Sequence, residues 1–468
     1  MLPDDLLYRS AVDLAAMVRA KDASAVELMD AFQARIDALD PTLHAFVQPF
    51  GPRARRAAAR TDAALAKGQG GDRSLVGVPW GVKDTEAIRG SFFHAGARAL
   101  KWVWSPVDAP AVKRMRAMGL TIAGRTTTSE LALMPVVETE LQPGTATPWD
   151  PAYSAGGSSG GSASAVAAGM LPIAAAADGA GSIRIPASCN HLFGFKPSFG
   201  ATENYYKAFD PVGLAVLGSV THHVIDSAVV LDGLAGRPNW PPQPGSFAAA
   251  CDQAPPKGLR IGLCLESPML DVQPDIIAKV RAFAETLESM GHTIVEMDGA
   301  HDGTLDHFIP IYGRVIATSP IPTPWLLQPV TKWIRGEGRK ITVADAIQRA
   351  AALAEEVHQW WGDVDLAITP TMAVDPPKVG AWKHLDPEAE FRAAASMGAF
   401  TAPFNLTGQP AASIPVGLSN AGLPIGAQLV AKKGEDALLF SLCAELQRAL
   451  QWDRRRAPMA TRSQDVGA

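Results

Sequence analysis

Residues 177–184 read Ala177-Asp178-Gly179-Ala180-Gly181-Ser182-Ile183-Arg184, and they follow another small-residue run, Gly156-Gly157-Ser158-Ser159-Gly160-Gly161-Ser162. Upstream, Gly77-Val78-Pro79-Trp80-Gly81-Val82-Lys83-Asp84 closes an apolar stretch on a lysine. Glycine-serine runs are ordinarily turns or linkers. The 156–162 run lacks the lysine that a phosphate-binding loop needs, and no G-x-G-x-x-G stands between a strand and a helix, so nucleotide binding has little support. The residues before Ser182 have almost no side-chain bulk. The backbone N–H groups of Gly179, Ala180, Gly181 and Ser182 can converge on one point, as a nest for a developing oxyanion requires.

A serine beside such a nest is a weak nucleophile until a base takes its proton. His191, His222 and His223 are the histidines nearest in sequence, and each reads as a packed or surface polar residue. Lys83 is the better base. It follows an apolar segment, 76–82, so its ammonium is expected to enter the protein, and burial penalises the charged form. A neutral lysine accepts protons. The competing reading makes Lys83 a buried ion-pair partner of Asp84 or Asp178. Ser158, whose hydroxyl both donates and accepts, can carry a proton between Lys83 and Ser182. The three residues together point to acyl transfer by a Ser-Ser-Lys relay.

Helices are expected at 10–19, capped by Ser10, and at 26–39, where Ser24 and Glu27 form a capping box and Leu28, Phe32 and Ile36 share a face. Further helices are expected at 53–66, 109–118, 162–168, 224–234, 274–290, 344–361 and 437–450. Strands are expected at 75–82, 120–123, 259–263, 293–297, 366–369, 411–416 and 425–430. Residues 129–134 read as a short helical turn, and 193–195 and 214–219 as loops or short strands. The proline-rich segment 236–256 reads as a surface crossing, 301–345 and 372–390 as irregular, and 459–468 as a frayed tail. The fold class is therefore α/β. It is expected as one domain over 1–468, with a helical start to about residue 70, a catalytic core at about 71–235 and a C-terminal α/β part at about 257–455.

The 468 residues are 47% hydrophobic and 19% charged, with a net charge of −5. No basic stripe suggests a nucleic-acid groove. The apolar tract 163–177 is interrupted by Gly169 and Pro172 and is too short to cross a bilayer. Cys189, Cys251, Cys264 and Cys443 form no C-x-x-C pair, which fits reduced thiols better than a disulfide framework. With no leader evident at 1–5, a soluble cytoplasmic protein without membrane attachment is expected. His222 and His223 are adjacent and no H-E-x-x-H occurs, which argues against a metal hydrolase.

Over residues 6–450 the chain resembles the amidase signature family. The resemblance rests on motifs in order: 77–84, Ala123-Gly-Arg-Thr126, 156–161, Asp178 to Pro186, Gly194-Phe-Lys-Pro197, Thr369-Pro370-Thr371, Asn405 to Pro410 and Gly422 to Gln428. It implies a large α/β/α fold on a mixed, mainly parallel sheet flanked by helices, and no cofactor. It also implies Ser182 as nucleophile, Ser158 as a bridging serine on a cis peptide bond, and Lys83 as base. Gly179 to Ser182 would form the oxyanion hole, with Ser159, Asp178 and Arg184 in support. The chain departs from the family's pattern at Ala177, Ala180, Arg125, Thr127 and His191. The 178–188 segment is closest to members acting on aryl and cyclic amides, such as 6-aminohexanoate cyclic-dimer hydrolases.

The expected ligands are a small-molecule amide and water, with esters and carbamates sharing the same kind of carbonyl. Met134, Pro135, Phe308, Ile311, Tyr312, Trp325, Trp333 and Phe404 are candidate pocket walls. A homodimer is conceivable, with 301–345 as interface or lid. The alternatives are a glutamine-dependent transamidase subunit acting with partners on aminoacyl-tRNA, and a non-catalytic scaffold.

Overall fold

The computed structural model describes residues 4–203, 205–267, 269–299 and 305–462. Ser10 caps the first helix, Ala11–Ala20, by accepting from Asp13 N. Ser24 and Glu27 form the expected capping box at the start of Ala25–Leu43, and Leu28, Phe32 and Ile36 are buried. Asp226 accepts from Ala11 N and Val12 N at 2.8 and 3.1 Å, tying this helical start to the helix Val224–Leu234.

The core is built on one eleven-stranded sheet. Its strands in chain order are β1 (Phe46–Pro49), β2 (Pro79–Lys83), β3 (Thr121–Thr126), β4 (Ile173–Asp178), β5 (Phe193–Lys196) and β6 (Val216–Thr221). Then follow β7 (Arg260–Leu263), β8 (Thr293–Glu296), β9 (Leu366–Pro370), β10 (Ala411–Leu418) and β11 (Pro424–Ala431). The spatial order is β1-β3-β2-β4-β6-β5-β10-β11-β9-β7-β8. The sheet is mixed, with helices packed along it. Parallel pairing forms its two flanks, β3-β2-β4 and β9-β7-β8, and the strands between them pair antiparallel.

The parallel pair β2 and β4 positions the site. Trp80 registers with Ile173 and Gly81 with Ala174, so both strands end at the same sheet edge, one on Lys83 and the other on Asp178. The 156–162 run leads into the helix Gly160–Ala167, which lies against β4. Ser162 Oγ donates to Ala175 O at 2.7 Å. A side chain at Gly161 would collide with Thr127 and with the Ala45 carbonyl, so glycine is what lets this helix sit so close.

Several expectations are corrected. Residues 173–178 form a fully buried strand inside the expected apolar tract: four consecutive alanines favour helix intrinsically, but pairing with β2 and β6 holds them extended. Residues 193–195 and 214–219, read as loops or short strands, lie in or beside strands β5 and β6, so the strand reading holds. The described part of 301–345 is largely helical, at Leu305–Thr318 and Pro329–Arg339, with residues 301–304 outside the described set. Pro310 inside the first helix and Pro320, Pro322 and Pro324 after it hide the helical period. The part of the expected tail that is described is ordered, since Pro458–Arg462 is helical and Arg35 donates to Ala460 O; 463–468 lie outside the described residues. All four cysteines are buried thiols outside any disulfide. Among the described residues, no helix is long and apolar enough to cross a membrane.

Helices Leu305–Thr318 and Pro329–Arg339 cross at Gly313 and Gly338, where a Cβ on Gly338 would overlap the Gly313 backbone. Gly338→Ala is expected to push them apart and destabilise the protein by about 1–3 kcal/mol. Urea unfolding measures this; an unchanged midpoint would contradict the close crossing.

Candidate active site

Lys83 ends β2 fully buried, and its Nζ donates to Ser158 Oγ at 2.7 Å. Burial pulls the Lys83 pKa from its usual range down to about 7, while the negative charges of Asp178 and Glu86 oppose that fall. The ion-pair alternative is not what forms. Asp84 pairs with Arg125 at 3.1 Å and lies 3.5 Å from His94 Nδ1, and Asp178 pairs with Arg184 at 2.9 Å. Arg125 also donates to Ser91 Oγ at 2.9 Å and to Glu86 O at 2.8 Å, bracing the segment that leaves Lys83.

Ser158 is buried, and the Gly157–Ser158 peptide bond is cis. Ser159 faces the end of β4, where its Oγ accepts from Ala177 N at 3.3 Å and lies 3.4 Å from Ala177 O. Lys83, Ser158, Gly179 and Ser182 all line one cavity of about 430 Å³. Ser182 and Tyr312 also line a second cavity of about 90 Å³.

The 179–183 loop is held by one carboxylate. Asp178 Oδ1 accepts from Gly181 N at 2.7 Å and Oδ2 from Ile183 N at 3.1 Å. Arg184 grips the same carboxylate through Nε at 3.0 Å and through its second terminal nitrogen at 2.9 Å. Burial alone would raise the Asp178 pKa, but the Arg184 guanidinium, assisted by Lys196 and Asn405, outweighs it and holds the carboxyl well below the usual range. Arg184 also donates to Thr401 O, Gln428 Oε1 and Asn405 Oδ1 at 2.9, 2.6 and 2.6 Å. Thr401 Oγ1 donates to Ala180 O at 2.7 Å.

One member of the expected nest drops out. The Gly181 N–H is engaged by Asp178, so it does not point to a common anion site with its neighbours. Gly181 serves instead by its backbone, with φ +127° and no room beside Thr401 for a Cβ. Among the described residues, the amides of Gly179, Ala180 and Ser182 have no such partner.

Of the expected pocket walls, Pro135, Phe308 and Tyr312 line the cavities. The other five do not. Met134 is buried in the packing around them, and Ile311 is buried one layer behind the smaller cavity, packed with Ala350 and with Leu353, which does line it. Trp333 packs on Phe391 with ring centroids 5.5 Å apart. Phe404 packs beside Trp360 and Trp361. Trp325 is 67% exposed. An apolar helical face does not reveal which of its residues meets a cavity and which meets the next helix. The histidines lie outside both cavities. His222 Nε2 is 3.0 Å from Val166 O, His223 Nε2 is 2.9 Å from Tyr8 O, and burial pushes His191 down to about 3.

Sequence reasoning assigned no role to Arg125, Thr401, Asn405 or Gln428. Except for Thr401, they stand in the ordered motif segments, which was the available signal; their partners lie far away in the chain.

The Amidase family profile matches residues 27–319 and 326–440. A 6-aminohexanoate-cyclic-dimer hydrolase of Paenarthrobacter ureafaciens is 31% identical over 99% of this chain and 99% of its own length. A solved structure of 6-aminohexanoate cyclic dimer hydrolase complexed with substrate superposes with a TM-score of 0.84 at 30% identity, covering 97% of this chain and 100% of that one. A bacterial aryl acylamidase of the amidase signature family, 24% identical, shares the fold with a TM-score of 0.82 over 95% of this chain and 98% of its own. The profile match along most of the chain and the full-length relative together show that this protein belongs to the amidase signature family of amide-hydrolysing enzymes.

Proposed function

We propose that this chain is an amidohydrolase that works through an acyl-enzyme on Ser182, with Ser158 and Lys83 as its proton relay. The observation that carries this reading is the buried Lys83 Nζ, 2.7 Å from Ser158 Oγ, in the cavity that Ser182 lines. With Lys83 neutral, the contact reverses and the Ser158 hydroxyl donates to the nitrogen.

Ser182 Oγ attacks the amide carbon and its proton passes to Ser158, whose own proton passes to Lys83. The carbonyl oxygen becomes an oxyanion beside the free amides of Gly179, Ala180 and Ser182. The C–N bond breaks, the departing nitrogen takes a proton from Ser158, and Lys83 refills Ser158. The acyl group is now an ester on Ser182. Water attacks this ester and gives its proton to the same relay. The acid leaves as Ser182 regains a proton. Asp178 and Arg184 touch no reacting atom in this scheme; they hold the loop.

Glutamine-dependent transamidation is not favoured. Free glutamine carries two charges that need partners, and among the described residues the only charged side chains lining the larger cavity are Lys83 and Asp210. Lys83 is bound to Ser158. Asp210 accepts from the N–H groups of Val212, Gly213 and Ala215 at 3.2, 2.9 and 2.6 Å.

Ser182→Ala is expected to abolish turnover of an amide that the wild type cleaves, and Lys83→Met to lower kcat by about 100-fold to 10,000-fold with the fold intact. Steady-state kinetics on purified variants decide; wild-type rates in either contradict the relay. The active lysine is the neutral one, so kcat/KM should rise through about pH 7 and level off above it. A pH profile flat between 5.5 and 8.5, or one falling with pH, would contradict this. Asp178→Asn leaves Arg184 buried without its counter-charge and is expected to destabilise the protein by about 3–5 kcal/mol. An unfolding midpoint equal to wild type would show that the pair does not hold the loop.

A further inference from the structure

This inference rests on the reading of Ser182 and its relay given above. Two cavities meet at Ser182 and Tyr312. The larger, about 430 Å³, contains Lys83 and Ser158. The smaller, about 90 Å³, contains neither and is walled by Pro135, Ala180, Ile185, Phe308, Phe391 and Leu406, among others.

The direction of proton travel assigns the two halves of an amide to these cavities. The group that receives the Ser182 proton must hand it to the leaving nitrogen, so the nitrogen lies on the Ser158 side. The amine half therefore occupies the larger cavity. The acyl half extends from the carbonyl carbon in the opposite direction, into the smaller one.

Size and charge then narrow the substrate. An apolar cavity of about 150 Å³ holds benzene, and the smaller cavity here falls short of that at about 90 Å³. Among the described residues, none of its lining side chains is charged. A carboxylate placed there would lose its water and gain no partner. In the larger cavity Lys83 and Asp210 are both engaged, so an ionic amine substituent finds no free counter-charge.

We propose that the substrates are N-substituted amides of small, uncharged, apolar acids, with an acyl chain of a few carbons against Phe308, Tyr312, Phe391 and Leu406 and a bulkier apolar amine on the relay side. Linear amino-acid oligomers with free carboxylates fall outside this class.

The test is a series of anilides that share one amine and differ in acyl group: acetyl, propionyl, butyryl, benzoyl, naphthoyl and succinyl, the last with a free carboxylate. Turnover of the first three is expected. The value of kcat/KM should fall at least about tenfold from butyryl to naphthoyl and about 100-fold to succinyl. Ala402 lines the smaller cavity, and Ala402→Leu should raise the acetyl-to-butyryl preference about tenfold. A merely structural effect would lower both substrates alike and leave that ratio unchanged. Equal or better turnover of the naphthoyl or succinyl anilide, an unchanged ratio in Ala402→Leu, or no turnover of the small-acyl anilides overturns the proposal. Labelling of the wild type by a fluorophosphonate, mapped to Ser182, separates the two claims. A Ser182 adduct with the wrong acyl preference sinks only the substrate class, whereas anilide turnover that survives in Ser182→Ala sinks the relay.

Discussion

The buried pair between Asp178 and Arg184 is the constraint on which the site depends. Four backbone and side-chain donors converge on the Asp178 carboxylate from the loop and the helix that follow it, and Asn405 adds a fifth at 3.0 Å. Arg184 then reaches Thr401, Asn405 and Gln428, which come from a distant part of the chain. One ion pair thus fixes where β4 ends, how the 179–183 loop turns and how both meet β11. Two charges removed from water are stable together only because nearly every lone pair and proton has a partner. The same saturation engages the Gly181 N–H, and on the proposed reading it is the neighbouring amides that meet the oxyanion.

Lys83 is treated in the opposite way. It is followed directly by Asp84 and feels the charge of Asp178, yet each carboxylate is claimed by something else, Asp84 by Arg125 and Asp178 by Arg184. What remains to Lys83 is a serine hydroxyl. Burial without a full counter-charge brings its pKa to about 7, where a lysine can exchange protons. On the proposed reading, the arginines are thereby part of what lets the lysine be neutral near pH 7. Glu86 moderates the effect from nearby; its carboxyl, raised by burial, accepts from the Tyr206 hydroxyl at 2.8 Å.

Much of this was legible in the sequence where chemistry demands unusual local composition. The small residues at 156–162 and 179–182, and a lysine closing an apolar segment, each have a physical reason that does not depend on the rest of the chain. Capping at Ser10 and Ser24 was equally local. The β4 strand was not legible, because Ala174 to Ala177 have the propensity of a helix and take the strand form only between β2 and β6. The helices at 305–318 and 329–339 were masked by prolines, and the Gly313–Gly338 crossing that brings them together is a property of the pair. Five of the eight expected pocket walls were misplaced for the same reason: Phe308 and Ile311 lie on one apolar helix, and only the neighbours decide that Phe308 meets the cavity and Ile311 packs on Ala350 and Leu353.

The most direct test of the central claim is to catch the covalent intermediate. Wild-type protein would be mixed with an activated butyryl ester, quenched in acid within milliseconds to seconds, and analysed by intact and peptide mass spectrometry. The account predicts a mass gain of one butyryl group on the peptide that carries Ser182, and its absence in Ser182→Ala. A butyryl group on another residue, or rapid turnover of the ester with no acylated protein at any quench time, would contradict it.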